Sequence, residues 1–166
     1  MNKKILLMVA GFIAAFVGFI FVMGYQDNRR IMESFCFGPI TSQMLLYHEK
    51  YATFPPNLDV FVQAAERPML QMVNIEYPGF LSIKSEILPV LYNPEPDLSD
   101  VGKLSNLIVA APLVIYGERK CIFFLDPAQN GYYIKSERIS ENDFQKYWQI
   151  GDGGILQQRA KEGVGR

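Results

Sequence analysis

An uninterrupted apolar run near the N-terminus constrains this chain more than any other feature. Residues 5–24 include no charged or strongly polar side chain. As a helix rising about 1.5 Å per residue, the run would extend about 30 Å, the thickness of the hydrocarbon core of a bilayer. A helix in water needs a polar face, and this run offers none. The sequence therefore predicts a transmembrane anchor over residues 1–24.

A cleaved secretory signal peptide is the alternative interpretation of this run. Lys3 and Lys4 give it a basic start. The apolar region of a signal peptide is usually about 7–15 residues long, and a small-residue cleavage site follows it. This run is longer, and residues 22–24 would make a poor cleavage site. The length favours a retained signal anchor in a single-pass membrane protein.

Basic side chains flank the run on both sides, with Lys3 and Lys4 before it and Arg29 and Arg30 after it. Their number alone therefore does not orient the span. A short N-terminal tail before a single span usually stays in the cytoplasm. We therefore expect residues 25–166 to be extracytoplasmic, either periplasmic or extracellular.

Small residues recur on one face of the predicted span, at Gly11, Ala14, Ala15 and Gly18. Spacings of three and four place them together, and small residues let two membrane helices approach closely. Glycine and alanine are also common in membrane helices generally. The stripe is therefore either a helix-association face or a chance pattern.

The composition excludes several classes of function. With 16 basic and 17 acidic side chains, the net charge is -1, so the chain lacks the basic excess of a nucleic-acid binder. Two cysteines and one histidine are too few for a four-ligand zinc site. His48 lies about 18 Å along a straight helix from Cys36, too far for a catalytic pair. We expect a non-enzymatic protein without a cofactor or a metal.

Residues 25–51 are predicted to continue the anchor as a helical stalk. Pro39 lies in its middle, where it removes a backbone donor and clashes with the preceding turn, so we expect a kink or a break followed by a restarted helix. The apolar side chains that fit a loose 3.6-residue stripe are Ile31, Phe35, Met44 and Tyr47.

Beyond the stalk, the pattern predicts an α+β domain over residues 25–150. Asn57 is a natural N-cap for a short helix through Ala65. Branched and aromatic residues predict a small antiparallel sheet, mainly within residues 80–135. Its clearest part is a meander of three strands, predicted at residues 107–116, 121–125 and 132–135.

The C-terminal part of the pattern predicts one more helix and then a tail. Ser140 caps a helix over residues 141–149, with Asp143 at the reciprocal position. A face of this helix that holds Phe144, Tyr147 and Trp148 should dock on the sheet. Residues 151–166 are predicted to be a flexible tail.

Cys36 and Cys121 are the two cysteines of the chain. They could form a disulfide in an oxidising compartment, which requires Cα atoms within about 7 Å. Their apolar neighbours favour the alternative, in which both are buried free thiols that behave as small hydrophobic side chains.

Aromatic residues make a candidate partner surface on the sheet. Neighbouring residues of a strand point to opposite faces, so Phe123 and Phe124 would make both faces apolar, together with Tyr132 and Tyr133. The stalk would cover one face. A helix or another protein would cover the other face.

Residues 45–58, with the sequence LLYHEKYATFPPNL, place an aromatic, a small residue and prolines before a leucine. With the anchor, the stalk and the small sheet, this stretch resembles type IV pilin-like and pseudopilin-like proteins, where such residues end the long helix. Residues 117–144 also resemble the last hairpin of some pilin-like domains. The resemblance implies a pilin-like domain on a membrane helix.

The anchor departs from the pilin pattern. Pilins carry a glycine before a cleavage site and a glutamate at the fifth position after it. Here Gly11 and Phe12 form the only comparable site, Phe16 occupies the fifth position, and the anchor contains no glutamate. The resemblance therefore implies a pilin-like domain kept as a permanent membrane protein.

We thus expect a membrane-anchored structural or accessory subunit of a larger envelope or membrane complex. Its partners would be the bilayer and other membrane subunits or a second copy. A secreted protein without residues 1–24 is one alternative. Another is a membrane-tethered calcium-binding or hydrolytic accessory domain, although a solvated acidic loop explains the same carboxylates. The carboxylates for calcium would be Glu95, Asp97, Asp100 and Asp126.

Overall fold

The computed structural model describes residues 3–65, 73–80, 84–96, 104–125 and 133–159. Within these ranges the chain is α+β, with a long N-terminal helix and small antiparallel sheets. The helices are α1 (Lys3–Tyr51), α2 (Leu58–Ala64) and α3 (Glu141–Tyr147). The strands are β1 (Asn74–Tyr77), β2 (Glu86–Pro89), β3 (Leu91–Tyr92), β4 (Leu107–Ala110), β5 (Glu118–Leu125), β6 (Tyr133–Ser140), β7 (Trp148–Ile150) and β8 (Leu156–Gln158).

Helix α1 is continuous for 49 residues, so the predicted break and restart at Pro39 are wrong. Proline still removes the backbone donor that would reach the Phe35 carbonyl. Two hydroxyl groups bond to carbonyls in the adjoining turns, where Thr41 Oγ1 donates to Phe37 O at 2.7 Å and Ser42 Oγ donates to Gly38 O at 3.2 Å. Packing of the helix on the domain outweighs the local cost of one proline.

The predicted antiparallel meander is confirmed by a four-stranded sheet in the order β3-β4-β5-β6. Strand β5 pairs with β6 over its whole length, from Glu118 opposite Ser140 to Leu125 opposite Tyr133. The predicted first strand is shorter than expected and ends at Ala110, because Pro112 lies next to it. Strands β1 and β2 form a separate hairpin.

Two apolar cores lie on opposite faces of the four-stranded sheet. Side chains that alternate along β5 divide between them, with Ile122 and Phe124 in the core against α1 and Cys121 and Phe123 in the other. This alternation is the period of two that a strand imposes. Strand β5 runs outward beside α1, from Glu118 near the start of the stalk to Phe124 near its end.

Helix α3 covers the face of the sheet that α1 does not. Its N-cap, Ser140, accepts a hydrogen bond from the Asp143 backbone N–H at 3.1 Å. Phe144 and Trp148 are buried in the second core, whereas Tyr147 is exposed, contrary to the predicted face. Arg119 of β5 holds the start of this helix through two hydrogen bonds to Glu141, at 2.8 and 2.9 Å.

The C-terminal hairpin of β7 and β8 was not expected from the sequence. Trp148 pairs with Gln158, and Ile150 pairs with Leu156. The predicted flexible tail is therefore wrong for residues 151–159, whereas residues 160–166 lie outside the described residues. Trp148 of β7 and Leu156 of β8 join this hairpin to the rest of the fold, since both are buried in the second core.

Candidate functional site

The N-terminal half of α1 is long and apolar enough to span a membrane. Its most apolar window has a mean hydropathy of 2.9, and none of that window is buried against the rest of the chain. Large apolar side chains from Ile5 to Met23 are all exposed. An exposed apolar surface of this length is suited to the interior of a bilayer rather than to water.

The small-residue stripe lies on the side of α1 that carries the domain. Eighteen residues make five helical turns, so Gly11 shares a face with Arg29 and Gly18 shares a face with Cys36. Arg29 lies over the Tyr77 ring at 5.6 Å, and Cys36 packs against the first core. A helix that packs against the stripe would therefore approach beneath the domain.

The stalk buries a different face from the one that the apolar pattern suggested. Ile31 and Phe35, expected in the stripe, are exposed, and Met44 alone of the expected four is fully buried. The reason is that the buried face includes the ionisable residues Glu33 and His48, which do not contribute to a pattern of apolar side chains. The buried positions of α1 are Glu33, Phe37, Ile40, Met44 and His48.

Glu33 is the centre of a buried polar cluster between the stalk and the sheet. Its carboxylate accepts a hydrogen bond from Arg138 Nη2 at 2.6 Å and another from Tyr77 Oη at 3.0 Å. Burial raises the pKa of Glu33, although the charge and hydrogen bond of Arg138 and the hydroxyl of Tyr77 oppose that shift. Burial and the nearby Arg138 lower the pKa of Lys120. The cluster ties α1 to β1 and β6.

A second set of charged contacts lies nearer the apolar run. Arg30 Nη2 lies 2.5 Å from Glu118 Oε2, and the Arg30 guanidinium stands 4.9 Å from the centre of the Tyr116 ring. The Arg29 guanidinium lies 4.4 Å from the centre of the Tyr25 ring. Both arginines that flank the run are thus engaged with the domain or with α1 itself. This set joins the first turns of the stalk to the end of β5 that lies nearer the apolar run.

His48 is a buried side chain near the outer end of the stalk. Its ring lies 4.8 Å from the Phe54 ring and 5.0 Å from the Phe124 ring, between centroids. Burial lowers its pKa, and the charge of Glu49 opposes that shift. The position is suited to packing the stalk against β5.

Cys36 and Cys121 are both free thiols in the structure, which is the interpretation that their apolar neighbours favoured over a disulfide. Cys36 is half-buried on the stalk and packs against the first core, whereas Cys121 belongs to the second core. The four-stranded sheet therefore lies between them. Burial raises the pKa of both thiols.

The candidate partner surface is wrong for its two phenylalanines. Phe123 and Phe124 are both buried, one in each core, so the chain covers both faces of the sheet by itself. We expected the stalk on one face and a helix or another protein on the other; in the structure α1 lies on one face and Phe144 of α3 packs on the other. Tyr132 lies outside the described residues, as does the side chain of Tyr133.

The residues considered for calcium lie mostly outside the described part of the chain. Asp97, Asp100 and Asp126 are among these, and Glu95 alone is described. Within the described ranges, no group of three or more His, Cys, Asp or Glu side chains is arranged to hold a metal ion.

An apolar patch on the free side of the stalk is not covered by the described part of the domain. Phe35 is 71% exposed and Ile31 is 51% exposed. With Arg30 and Ser34 they line a shallow depression on the surface of α1. We call Ile31 and Phe35 the stalk patch. It lies more than about 100° around the helix from the Gly11–Gly18 stripe, at about 100° per residue.

Sequence reasoning missed the residues that join the stalk to the domain. A signal for Glu33 existed, because it lies four, seven and eleven residues before Phe37, Ile40 and Met44, which is one helical face. Arg138 gave no such signal, since its partner is 105 residues away.

Comparisons of this chain with protein-family models, with curated proteins and with solved structures found no match.

Proposed function

We propose that this chain is a non-enzymatic, membrane-anchored structural or accessory subunit of a larger membrane or envelope complex. Its helical anchor would hold it in the bilayer, and its α+β domain would contact other proteins. A long helix packed along an antiparallel sheet supports the resemblance to pilin-like domains. The observation that carries the proposal is the stalk patch.

The distance of the stalk patch from the end of the apolar run argues for a protein partner. Phe35 lies 11 residues beyond Gly24, which is about 16 Å along an upright helix. The headgroup region adds only about 5–8 Å to the hydrocarbon core on each side. Lipid would therefore leave Phe35 uncovered, and an exposed apolar patch of this kind is typical of a protein contact.

Two faces of α1 are available to different neighbours in this proposal. The stripe of Gly11 and Gly18 would pack against another membrane helix within the bilayer. The stalk patch lies on another side of the same helix and would contact a protein outside the bilayer. A partner that used both faces at once would have to wrap around α1, so we propose two separate contacts.

The anchor and its orientation complete the proposal. We infer that the N-terminal side of the anchor faces the cytoplasm and that the domain is extracytoplasmic, which is the arrangement expected of a signal anchor. A cysteine introduced in place of exposed Gln149 can test this with a thiol reagent that cannot cross membranes. Labelling of intact cells, or of cells with only the outer membrane opened, supports the orientation, and labelling only after lysis contradicts it.

The experiment that tests the subunit role is the native mass of the full-length protein in mild detergent, with co-purifying chains identified by mass spectrometry. A defined complex supports the proposal. A photo-reactive amino acid at Phe35 should cross-link to a chain of that complex. Phe35→Glu should reduce the mass to that of a smaller species.

Ile150→Glu is the matched control, because Ile150 is exposed on β7, on the other side of the sheet. Both substitutions place a carboxylate at an exposed apolar position. Equal loss of the complex in both variants would show a general effect of charge. A wild-type protein that runs as a lone monomer, without partners, would contradict the proposal.

A further inference from the structure

A tyrosine occupies a turn position that tyrosine seldom takes. Ile115 and Glu118 exchange two backbone hydrogen bonds, at 2.9 and 3.1 Å, and leave Tyr116 and Gly117 as the two central residues of a tight turn. Both central residues have positive φ, 54° and 75°. Such primed turns favour asparagine, aspartate or glycine, whereas a bulky residue at positive φ is strained. The fold of the turn alone therefore does not account for a tyrosine at its tip.

The Tyr116 side chain reaches the end of the apolar run. Its hydroxyl lies 2.9 Å from the Met23 carbonyl oxygen and 3.2 Å from Asp27 Oδ1, and these two acceptors share its one proton. Met23 belongs to the run itself, so the hydroxyl lies within about one helical turn of its end. Tyr116 remains 43% exposed.

A second loop brings another aromatic residue to the same level. Phe80, which follows β1, packs edge-on against the Tyr25 ring with centroids 5.2 Å apart. Phe80 is 38% exposed, and Tyr25 is the residue that follows the apolar run. Two separate connections of the domain thus place aromatic rings beside the same two turns of α1.

We propose that Tyr25, Phe80 and Tyr116, the boundary aromatics, seat the domain on the lipid headgroup region of the bilayer. This inference rests on the membrane anchorage proposed above. Aromatic rings with one apolar part and one polar end are enriched at the boundary between hydrocarbon and water. Tyr116 and Tyr25 have this character, and Phe80 adds apolar area at the same level.

The position of the boundary aromatics favours lipid over a protein as their partner. Residues 23–27 extend about 6 Å along the helix, which is comparable to the thickness of the headgroup region. The contacts of Tyr116 with Met23 make the aromatic surface continuous with the lipid-facing surface of the span.

The test uses the full-length protein in phosphatidylcholine vesicles and reads tryptophan fluorescence. Tyr116→Trp and Phe80→Trp each add a reporter to the native Trp148, which is buried in the second core and donates to the Leu104 carbonyl at 2.9 Å. In vesicles of phosphatidylcholine brominated near the top of one acyl chain, we expect each new tryptophan to lose about half or more of its emission.

Tyr51→Trp is the matched control. Tyr51 is an exposed aromatic residue at the outer end of the same helix, about 40 Å beyond Gly24. Its emission should be unchanged by the brominated lipid. Tyr116→Asn is a second variant whose residue suits the turn. The Tyr116→Asn domain should unfold at the same denaturant concentration as the wild type or at a higher one. When Tyr116→Asn is combined with Phe80→Trp, the tryptophan at position 80 should be quenched less than in Phe80→Trp alone.

The outcomes separate this inference from the proposed anchorage. If alkaline carbonate releases the protein from the vesicles, the anchorage fails and the inference fails with it. If the protein remains in the vesicles but tryptophans at positions 116 and 80 are quenched no more than the one at position 51, the inference alone is overturned. A photo-cross-linker at position 116 that captures a protein chain rather than lipid in native membranes overturns it as well.

Discussion

The Glu33 carboxylate on the stalk and the Arg138 guanidinium on β6 lie 2.6 Å apart, and the Glu33 side chain is fully buried. The pair joins two segments that are 105 residues apart in the sequence. A buried ion pair adds little stability over a hydrophobic pair of similar size, but loss of one partner leaves the other charge buried and unpaired. This asymmetry gives the pair a clear experimental signature.

We predict that Arg138→Leu lowers the free energy of unfolding by about 3–5 kcal/mol. Glu33→Leu combined with Arg138→Leu should recover much of that loss, since neither member of the pair is then left as an unpaired buried charge. Denaturant unfolding of the full-length protein in mild detergent measures both. Lys135→Leu, on the same strand and in an exposed pair with Glu137, is the control and should cost about 1 kcal/mol or less. Equal losses for Arg138→Leu and Lys135→Leu would contradict the prediction.

His48 should make the stability fall in mild acid. Its pKa in the folded protein is lowered from 6.5, chiefly by burial, so the unfolded chain binds a proton that the folded chain resists. Its contribution to stability is complete above pH 6.5 and is lost as the pH falls through the lowered pKa. We predict that the wild-type melting temperature decreases between about pH 7.5 and about pH 5 more than that of His48→Gln.

Glu33 changes the free energy of unfolding with pH in the opposite direction to His48. Because burial raises its pKa, its contribution is complete below 4.5 and is lost as the pH rises through the raised pKa. The difference between wild type and His48→Gln removes this common effect. If that difference does not change with pH, the assignment to His48 is wrong.

Pro39→Ala should stabilise the stalk. Alanine restores the backbone donor that the Phe35 carbonyl lacks, and the gain should be of the order of 1–3 kcal/mol in the free energy of unfolding. Gly38→Ala is a matched control on the same helix, because a Cβ at Gly38 would meet nothing within 4 Å. It should gain only about 0.5–1 kcal/mol from backbone entropy. A loss of stability in Pro39→Ala would show that the fold depends on the proline.

The two thiols should react at different rates. Cys36 is half-buried and Cys121 is fully buried, and burial raises the pKa of both. Since the thiolate is the reactive form, both should alkylate more slowly than a free cysteine, and Cys36 should react first. Mass spectrometry after timed iodoacetamide treatment measures this order. Electrophoretic mobility that changes on reduction would indicate a disulfide and contradict the structure.

Local signals predicted the local structure well. Asn57 caps α2 by accepting from the Val60 backbone N–H, as its place in the sequence predicts. Ser140 caps α3 in the same way. The strand pattern predicted the meander, because side-chain alternation is recorded in the sequence of a single strand.

The candidate site depended on partners that no local pattern records. Ile31 and Phe35 are apolar residues at helical spacing, so the pattern placed them inside, although the domain packs on the other side of α1. The face that packs on the domain holds Glu33, whose partners lie on β1 and β6, beside the apolar residues Phe37, Ile40 and Met44. The hairpin of β7 and β8 was missed for a related reason, since strands of three residues carry almost no periodic signal.

The domain contacts α1 near both ends of the stalk. Tyr116 contacts Met23 at one end, and Phe54 and Phe124 contact His48 at the other. These contacts are about 37 Å apart along one continuous helix. The domain therefore cannot rotate independently of the segment that would cross the bilayer. When that segment tilts, the domain tilts by the same angle. At the average tilt of membrane helices, about 20°, the outer end of the stalk would be displaced sideways by roughly 13 Å relative to the base. A change in bilayer thickness would thus move the outer end of the domain across the membrane surface without any change in its fold.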